Sequence, residues 1–252
     1  MIAVHTVGEG PDLFMLPGWG MHRGMWGDLP VRLAEVSRTH ACELPGYGDN
    51  QGVVPILDDL VDELSKRAPP KLDVLGWSLG GMLAMLWALR YPAQVRRLVL
   101  IGSTPSFIVR ENWRMGTPAE VLGNFSIALR VDPDSLMENF MRGMSEGEEA
   151  PEEMNAKLRA LFANYPRASK DALSAGLEWL RDIDLREALR HMEQKVLLVH
   201  GEKDVITSVA ASRRMAKLFP NVRLKIVDAC GHAPHLSHTP QVCAVIRQFL
   251  HE

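Results

Sequence analysis

The chain has 252 residues, 46% of them hydrophobic, enough to bury one sizeable core or two small ones. Its formal charge of −3 carries no overall signature of a nucleic-acid partner, and no run approaches the ~18 apolar residues of a membrane span. Cys42, Cys230 and Cys243 are odd in number and far apart, which argues against a disulfide scaffold and for a reducing compartment.

The opening residues, MIAVHTVGEGPD, lack a basic segment followed by an apolar run, so no signal peptide is expected and the cytoplasm is the expected location. Leu13–Leu16 reads as a strand that ends at Pro17-Gly18. GMWGDLPVRLAEV follows as a helical region, and HACEL as a strand stopped by Pro45-Gly46-Tyr47-Gly48. Residues Ile56–Arg67 have helical spacing, KLDVLG is a strand, and Leu79–Tyr91 is an apolar helix ended by Pro92. VRRLVLIG is the next strand.

The alternation resumes after residue 185, with a strand at Lys195–Gly201, a helix at Thr207–Phe219, the strand VRLKIVD and a last helix at Pro240–Leu250. Strands alternating with helices predict an α/β fold, a mainly parallel sheet with helices on both faces. Residues 105–185 break the rhythm: they are helix-like, rich in methionine, acidic in SEGEEAPEE, and without a convincing strand. An inserted helical cap over residues 105–185, between core halves 1–104 and 186–252, accounts for this best. The acidic run reads as solvated cap surface.

Gly76-Trp77-Ser78-Leu79-Gly80 fits G-x-S-x-G between an apolar strand and an apolar helix. In that context a sharp turn lifts the serine hydroxyl above the carboxyl end of the sheet, and the helix that follows aims free amides at the same point. A helix-capping serine is the plainer reading of the same five residues. Serine is a poor nucleophile at neutral pH and needs a base oriented by a carboxylate. His232, in ACGHAPHLSHTP just past the last strand, is the candidate base, and Asp204, just past KVLLVHG, the candidate acid.

Other residues compete for these roles. Asp228 stands too near His232 in sequence to be more than a turn residue, and His200 reads as a satisfied core histidine. His232, His235 and His238 share a spacing that a metal site could use. It is not H-E-x-x-H, and no cysteine or carboxylate completes it, so no metal is expected. Cys230, close to His232, reads as a small buried apolar thiol.

A tetrahedral intermediate needs two donors for its oxyanion. The amide of Leu79, directly after the serine, is one candidate, and the amide of Trp19 in Pro17-Gly18-Trp19-Gly20 the other, with the Trp19 ring as a wall of the acyl site. An ordinary turn around a core tryptophan fits the same loop. Gly18, Gly20 and Gly24 with Glu43 loosely imitate a dinucleotide fingerprint, but the third glycine comes one residue late. No cofactor is expected.

With these sites placed, the whole chain resembles the α/β-hydrolase superfamily, and within it the esterases that remove the methyl ester from pimeloyl-acyl-carrier protein in biotin synthesis. The matching strings are LPGWG (16–20), LPGYG (44–48), LGWSLGG (75–81), GLEWL (176–180) with DLR (184–186), and HAP with SH (232–238). Many such relatives carry a histidine where Pro17 stands; backbone amides do the binding there, so the departure should matter little. The resemblance implies a serine carboxylesterase, with Ser78, His232 and Asp204 as its triad, acting on a methyl ester carried by an acyl-carrier protein; a monomer is expected. It also implies activity on short carboxylic esters.

The cap segment Phe140-Met141-Arg142-Gly143-Met144 is similar to the family's substrate-facing helix, although a stripe that packs the cap on the core fits equally well. Arg142, Lys157 and Arg159 are the basic residues that the resemblance offers for carrier docking, against a reading as solvated surface charges. The alternatives are a generalist esterase, a carbon–carbon hydrolase or a lyase with the same residues. From a different class comes a non-catalytic small-molecule binder on this fold.

Overall fold

The computed structural model describes residues 2–252. Seven strands form one sheet: β1 (Ala3–Val7), β2 (Asp12–Leu16), β3 (Arg38–Glu43), β4 (Leu72–Trp77), β5 (Val95–Ile101), β6 (Lys195–Gly201) and β7 (Val222–Val227). Their spatial order is β1-β3-β2-β4-β5-β6-β7, with β1 antiparallel to β3 and every other pair parallel. All six residues of β4 are buried, as a central strand covered on both faces requires. The expected α/β fold with a mainly parallel sheet is therefore present.

Ten helices accompany the sheet among the described residues: α1 (Leu29–Leu33), α2 (Leu57–Arg67), α3 (Leu79–Arg90), α4 (Ala119–Val131), α5 (Pro133–Ser145), α6 (Pro151–Phe162), α7 (Lys170–Asp182), α8 (Val209–Met215), α9 (Pro234–Ser237) and α10 (Thr239–Leu250). Helices α4 to α7 fall between β5 and β6, a stretch that adds no strand to the sheet. Helix α3 is buried along most of its length, which explains why its sequence is apolar on every side.

Three elements differ from the sequence reading. Strand β1 was not expected, because an edge strand with three exposed residues shows no apolar run. The region GMWGDLPVRLAEV divides into a 3₁₀ turn at Arg23–Trp26 and α1, separated by Gly27-Asp28. The helix expected from Thr207 starts only at Val209, because Ser208 caps it by accepting from the Ala210 amide.

The chain runs outward from β2 to β3 and then crosses back to β4, so the order of the sheet reverses between β2 and β4. Open α/β sheets form their ligand crevice at the carboxyl ends of strands flanking such a reversal. Leu16 pairs with Gly76 there, which brings the residues after β2 and after β4 to one place.

Glu43, at the end of β3, is 1% exposed; its Oε1 accepts from the Arg23 amide at 3.1 Å, while Oε2 has no partner. Burial pushes its carboxyl up to about 7, against the opposing effects of the Arg23 amide and charge. The folded protein thus binds a proton on Glu43 more tightly than the unfolded chain does. Stability from this group is present at low pH and lost as pH rises through about 7, by about 3 kcal/mol at most. Glu43→Gln, which cannot ionise, should therefore gain in melting temperature over the parent between about pH 5 and about pH 8.5. A difference that stays flat over that range would contradict the assignment.

Candidate active site

Ser78 joins β4 to α3 with φ 55° and ψ −119°, a left-handed conformation that costs a residue with a Cβ about 1–3 kcal/mol. Two glycines make the turn possible. A Cβ at Gly76 would collide with the Gly80 carbonyl, and one at Gly80 with the Leu16 carbonyl of β2. The turn is fastened on both sides: the Ser78 amide donates to Ile101 O at 2.9 Å, and Ser103 Oγ donates to Ser78 O at 2.9 Å. Ser78 is 7% exposed and makes no side-chain capping bond, so the helix-cap reading of this serine is set aside.

His232 lies on the segment between β7 and α9. Its amide donates to Met144 O at 3.2 Å, and its carbonyl accepts from Trp77 Nε1 at 3.0 Å, the residue before Ser78. The loop is thereby tied to the turn that carries the serine. Nδ1 of His232 is 2.8 Å from Asp204 Oδ2, whereas Nε2 is buried without a hydrogen-bond partner. An ionised aspartate only accepts, so Nδ1 carries the proton and Nε2 presents a lone pair.

Asp204 sits in the turn after β6, both of its oxygens engaged. Oδ1 accepts from the amides of Ile206 (2.8 Å) and Thr207 (2.9 Å). Oδ2 accepts from His232 Nδ1 and Thr207 Oγ1 (2.9 Å), and lies 3.2 Å from His200 Nε2. Burial alone would raise its carboxyl, but the His232 charge and the bonds from His200 and His232 hold it well below the usual carboxylate range. His200 is fully buried, its Nε2 2.7 Å from Thr207 O. It is the core histidine that the sequence suggested, with an unforeseen second role against Asp204.

His235 is also buried, with Nε2 3.1 Å from Met25 O and its ring 4.6 Å from that of Trp77. Burial pushes it down to about 3, so it stays neutral and packs behind Trp77.

The loop after β2 reaches the serine: a Cβ on Gly18 would stand 3.4 Å from Ser78 Cβ. Trp19 is 2% exposed, its Nε1 donates to Leu173 O at 2.9 Å, and its ring meets Phe140 edge-on at 5.1 Å. Leu79 is the first residue of α3, where an amide has no acceptor within its own helix. Next to Ser78 opens a cavity of about 90 Å³, walled by Trp19, Phe125, Phe140, Leu177, Leu180 and Ile206 among others, with no charged side chain in its lining. Phe107, Thr117, Val121, Leu122 and Val205 complete the wall.

Several expected cap residues stand elsewhere. Phe140 lines the cavity, but Met141 belongs to a separate cleft with Glu138, Arg159 and Phe162. One step of about 100° around α5 turns it toward α6. Met144 is fully buried and contributes its carbonyl to His232; Gly143 faces Ile206; Arg142 is exposed on the outer side of α5. Lys157 Nζ donates to Leu236 O at 2.6 Å and so fastens α6 to α9, and Arg159 makes an exposed pair with Glu138 at 3.3 Å. Residues of α4 and Val205 in the wall were not anticipated, whereas Leu177 and Leu180 lie in the quoted string GLEWL.

Residues 11–239 match the family described as the alpha/beta hydrolase fold. A pimeloyl-[acyl-carrier protein] methyl ester esterase of Nitrosospira multiformis is 37% identical over 98% of this chain and 97% of its own. One of Aromatoleum aromaticum is 38% identical over 94% and 96%. The chain belongs to the α/β-hydrolase fold family and, within it, to the family of pimeloyl-[acyl-carrier protein] methyl ester esterases. An esterase from Exiguobacterium antarcticum superposes with a TM-score of 0.90 at 22% identity, covering 100% of this chain and 96% of that one. The enol-lactonase from Burkholderia xenovorans superposes at 0.85 with 17% identity, covering 100% and 96%; both similarities concern the fold.

Proposed function

We propose that the protein is a serine carboxylesterase that hydrolyses the methyl ester at the far end of a pimeloyl chain held by an acyl-carrier protein. The observation that carries this reading is the imidazole of His232, bound through Nδ1 to a buried carboxylate while its buried Nε2 waits without a partner. Such an imidazole accepts a proton from a nearby hydroxyl, and Ser78 is the hydroxyl lifted to the same crevice.

Ser78 Oγ attacks the ester carbonyl as its proton passes to His232 Nε2. Asp204 stabilises the imidazolium without taking that proton. The amides of Leu79 and Trp19 hold the oxyanion. Collapse of the tetrahedral intermediate breaks the bond to methoxide, which leaves as methanol with the proton from His232. Water then attacks the acyl-serine with His232 as base, and the carboxylate product departs as Ser78 regains its proton.

An uncharged apolar cavity suits an aliphatic chain ending in a neutral ester, because a buried carboxylate would stand there without a counter-charge. The segment 105–185 acts as a cap that supplies Phe125, Phe140, Leu177 and Leu180 to this wall. Short esters fit the same wall and should react. Cys42, Cys230 and Cys243 are all unpaired, in keeping with a cytoplasmic setting.

The test compares turnover of carrier-bound pimeloyl methyl ester with that of a free short methyl ester. Of the three cap cations singled out in the sequence, Lys157 is engaged with Leu236 O, which leaves Arg142 and Arg159, exposed on adjacent cap helices, to meet an acidic carrier. Replacing both by alanine should lower kcat/KM for the carrier-linked ester by about fivefold and leave the short ester unchanged. Equal loss on both substrates would contradict carrier docking at this face; no preference for the carrier-bound ester in the parent would contradict the substrate itself.

A further inference from the structure

Behind the loop that carries His232 lies a second cluster of donor groups. Sequence spacing alone gives His238 no carboxylate to complete a metal site, but the fold brings Glu148 to Cys230 from 82 residues away. Ligand atoms of Glu148, Cys230 and His238 all lie within 4.8 Å of one another. Cys230 Sγ is 3.6 Å from Glu148 Oε1 and 3.5 Å from Ser237 Oγ, and Ser237 Oγ is in turn 2.9 Å from His238 Nδ1. The serine hydroxyl thus bridges the thiol and the imidazole, at the point where a cation would join them once the hydroxyl turned aside.

We propose that Glu148, Cys230 and His238 form a binding site for a thiophilic divalent cation of the zinc class, and that occupancy slows the esterase. One thiolate, one imidazole and one carboxylate make a donor set that zinc accepts in tetrahedral geometry, with water as the fourth ligand. A surface cavity of about 350 Å³ is lined by Glu148, Ser237 and His238, with the fully buried Cys230 behind Ser237, so a cation enters from the side of the carboxylate and the imidazole. The same cavity carries Glu149 and Glu153 against the single cation Lys157, so its field favours a positive ion. On binding, the cation displaces the thiol proton to solvent, and no electrons are transferred.

The consequence follows from what the three residues are attached to. Glu148 comes from the stretch between α5 and α6, whereas Cys230 and His238 flank the loop of His232. Glu148 Oε1 already accepts from the Gly231 amide at 2.9 Å, one residue before the catalytic base. Cys230 Sγ and Glu148 Oε1, 3.6 Å apart, already stand at about the spacing of two ligands on one zinc. A cation here therefore cross-links the helical insertion to that loop by drawing in His238, and it competes with the Gly231 amide for Oε1, which disturbs the peptide that positions the imidazole. Loss of turnover requires no contact between the cation and Ser78.

Zn²⁺ titration against a chromophoric chelator should show one equivalent bound to the parent. Cys230→Ser and His238→Ala should each weaken binding by about tenfold or more. Co²⁺ in place of Zn²⁺ should give a thiolate charge-transfer band that is absent in Cys230→Ser. Both variants should keep the parent's metal-free turnover of a short ester, which also establishes that they fold. Zn²⁺ should slow the parent reversibly and spare Cys230→Ser. Absence of stoichiometric binding, affinity unchanged in both variants, or a cobalt band that survives loss of the thiol would overturn the site. Equal inhibition of parent and variants would place the cation on His232 instead and overturn the coupling. The binding readouts stand apart from the esterase reading; only the inhibition depends on it.

Discussion

Ser78→Ala should lower kcat on any ester by about six orders of magnitude while leaving the fold intact. Alanine inherits the left-handed backbone at φ 55° and keeps the serine's Cβ, so no new strain or sizeable void is created. What disappears is the hydroxyl that, in the proposed mechanism, gives its proton to His232 Nε2, an atom buried without another partner. The amides proposed to hold the oxyanion and the apolar wall remain, and they should sustain only a small rate above that of water. Mass spectrometry after a fluorophosphonate should find one adduct on the parent and none on the variant. A p-nitrophenyl ester should give a burst with the parent alone. A parent that takes no adduct would favour a binding protein on this fold, and a variant that still shows a burst would place the nucleophile elsewhere.

The prominence of Ser78 in the sequence has a physical basis. Its turn needs glycine at two positions where backbone from neighbouring elements leaves no space for a Cβ, so the constraint is written within five residues. Asp204 and His232 are legible for a similar reason, since each stands within five residues of the end of a strand, β6 or β7, and a parallel sheet delivers its strand ends to one side. Strand β6 coincides with its expected bounds, Lys195–Gly201, because a strand buried on nearly every residue is a continuous apolar run. Strand β1 escapes notice because only one of its sides meets the sheet.

The helices between β5 and β6 resist reading for a different reason. Helix α5 is buried on two sides, against the cavity through Phe140 and against α6 through Met141, and both sides are apolar. Periodicity reports that such a helix packs, but not how it is rotated toward a ligand. Lys157 shows the same limit for charge: nothing in the local sequence announces a carbonyl partner at Leu236, 79 residues away. The second imidazole on Asp204 is also a product of packing, because His200 reaches it only when the turn after β6 folds back over the strand.

That crowding makes Asp204→Asn the more informative substitution at the acid. Oδ1 accepts from two backbone amides, so an asparagine there must place its carbonyl oxygen at Oδ1 and its NH₂ group at Oδ2. The NH₂ group then faces His232 Nδ1 at 2.8 Å and His200 Nε2 at 3.2 Å, both of which donate in the parent. Donor against donor is repulsive. His232 relieves it by moving its proton to Nε2, so that Nδ1 accepts from the amide and Nε2 no longer takes the proton of Ser78. His200 has less freedom, since its Nε2 also serves Thr207 O at 2.7 Å. With the side-chain shape preserved, kcat should fall by about four orders of magnitude with little change in KM, because the tautomer is wrong while the acyl site is untouched. The rate should rise with pH more steeply than in the parent, as hydroxide substitutes for the missing base. A loss smaller than about tenfold would mean that Asp204 does not set the tautomer, and the network of His200, Thr207 and Asp204 would then serve the turn after β6 rather than the chemistry.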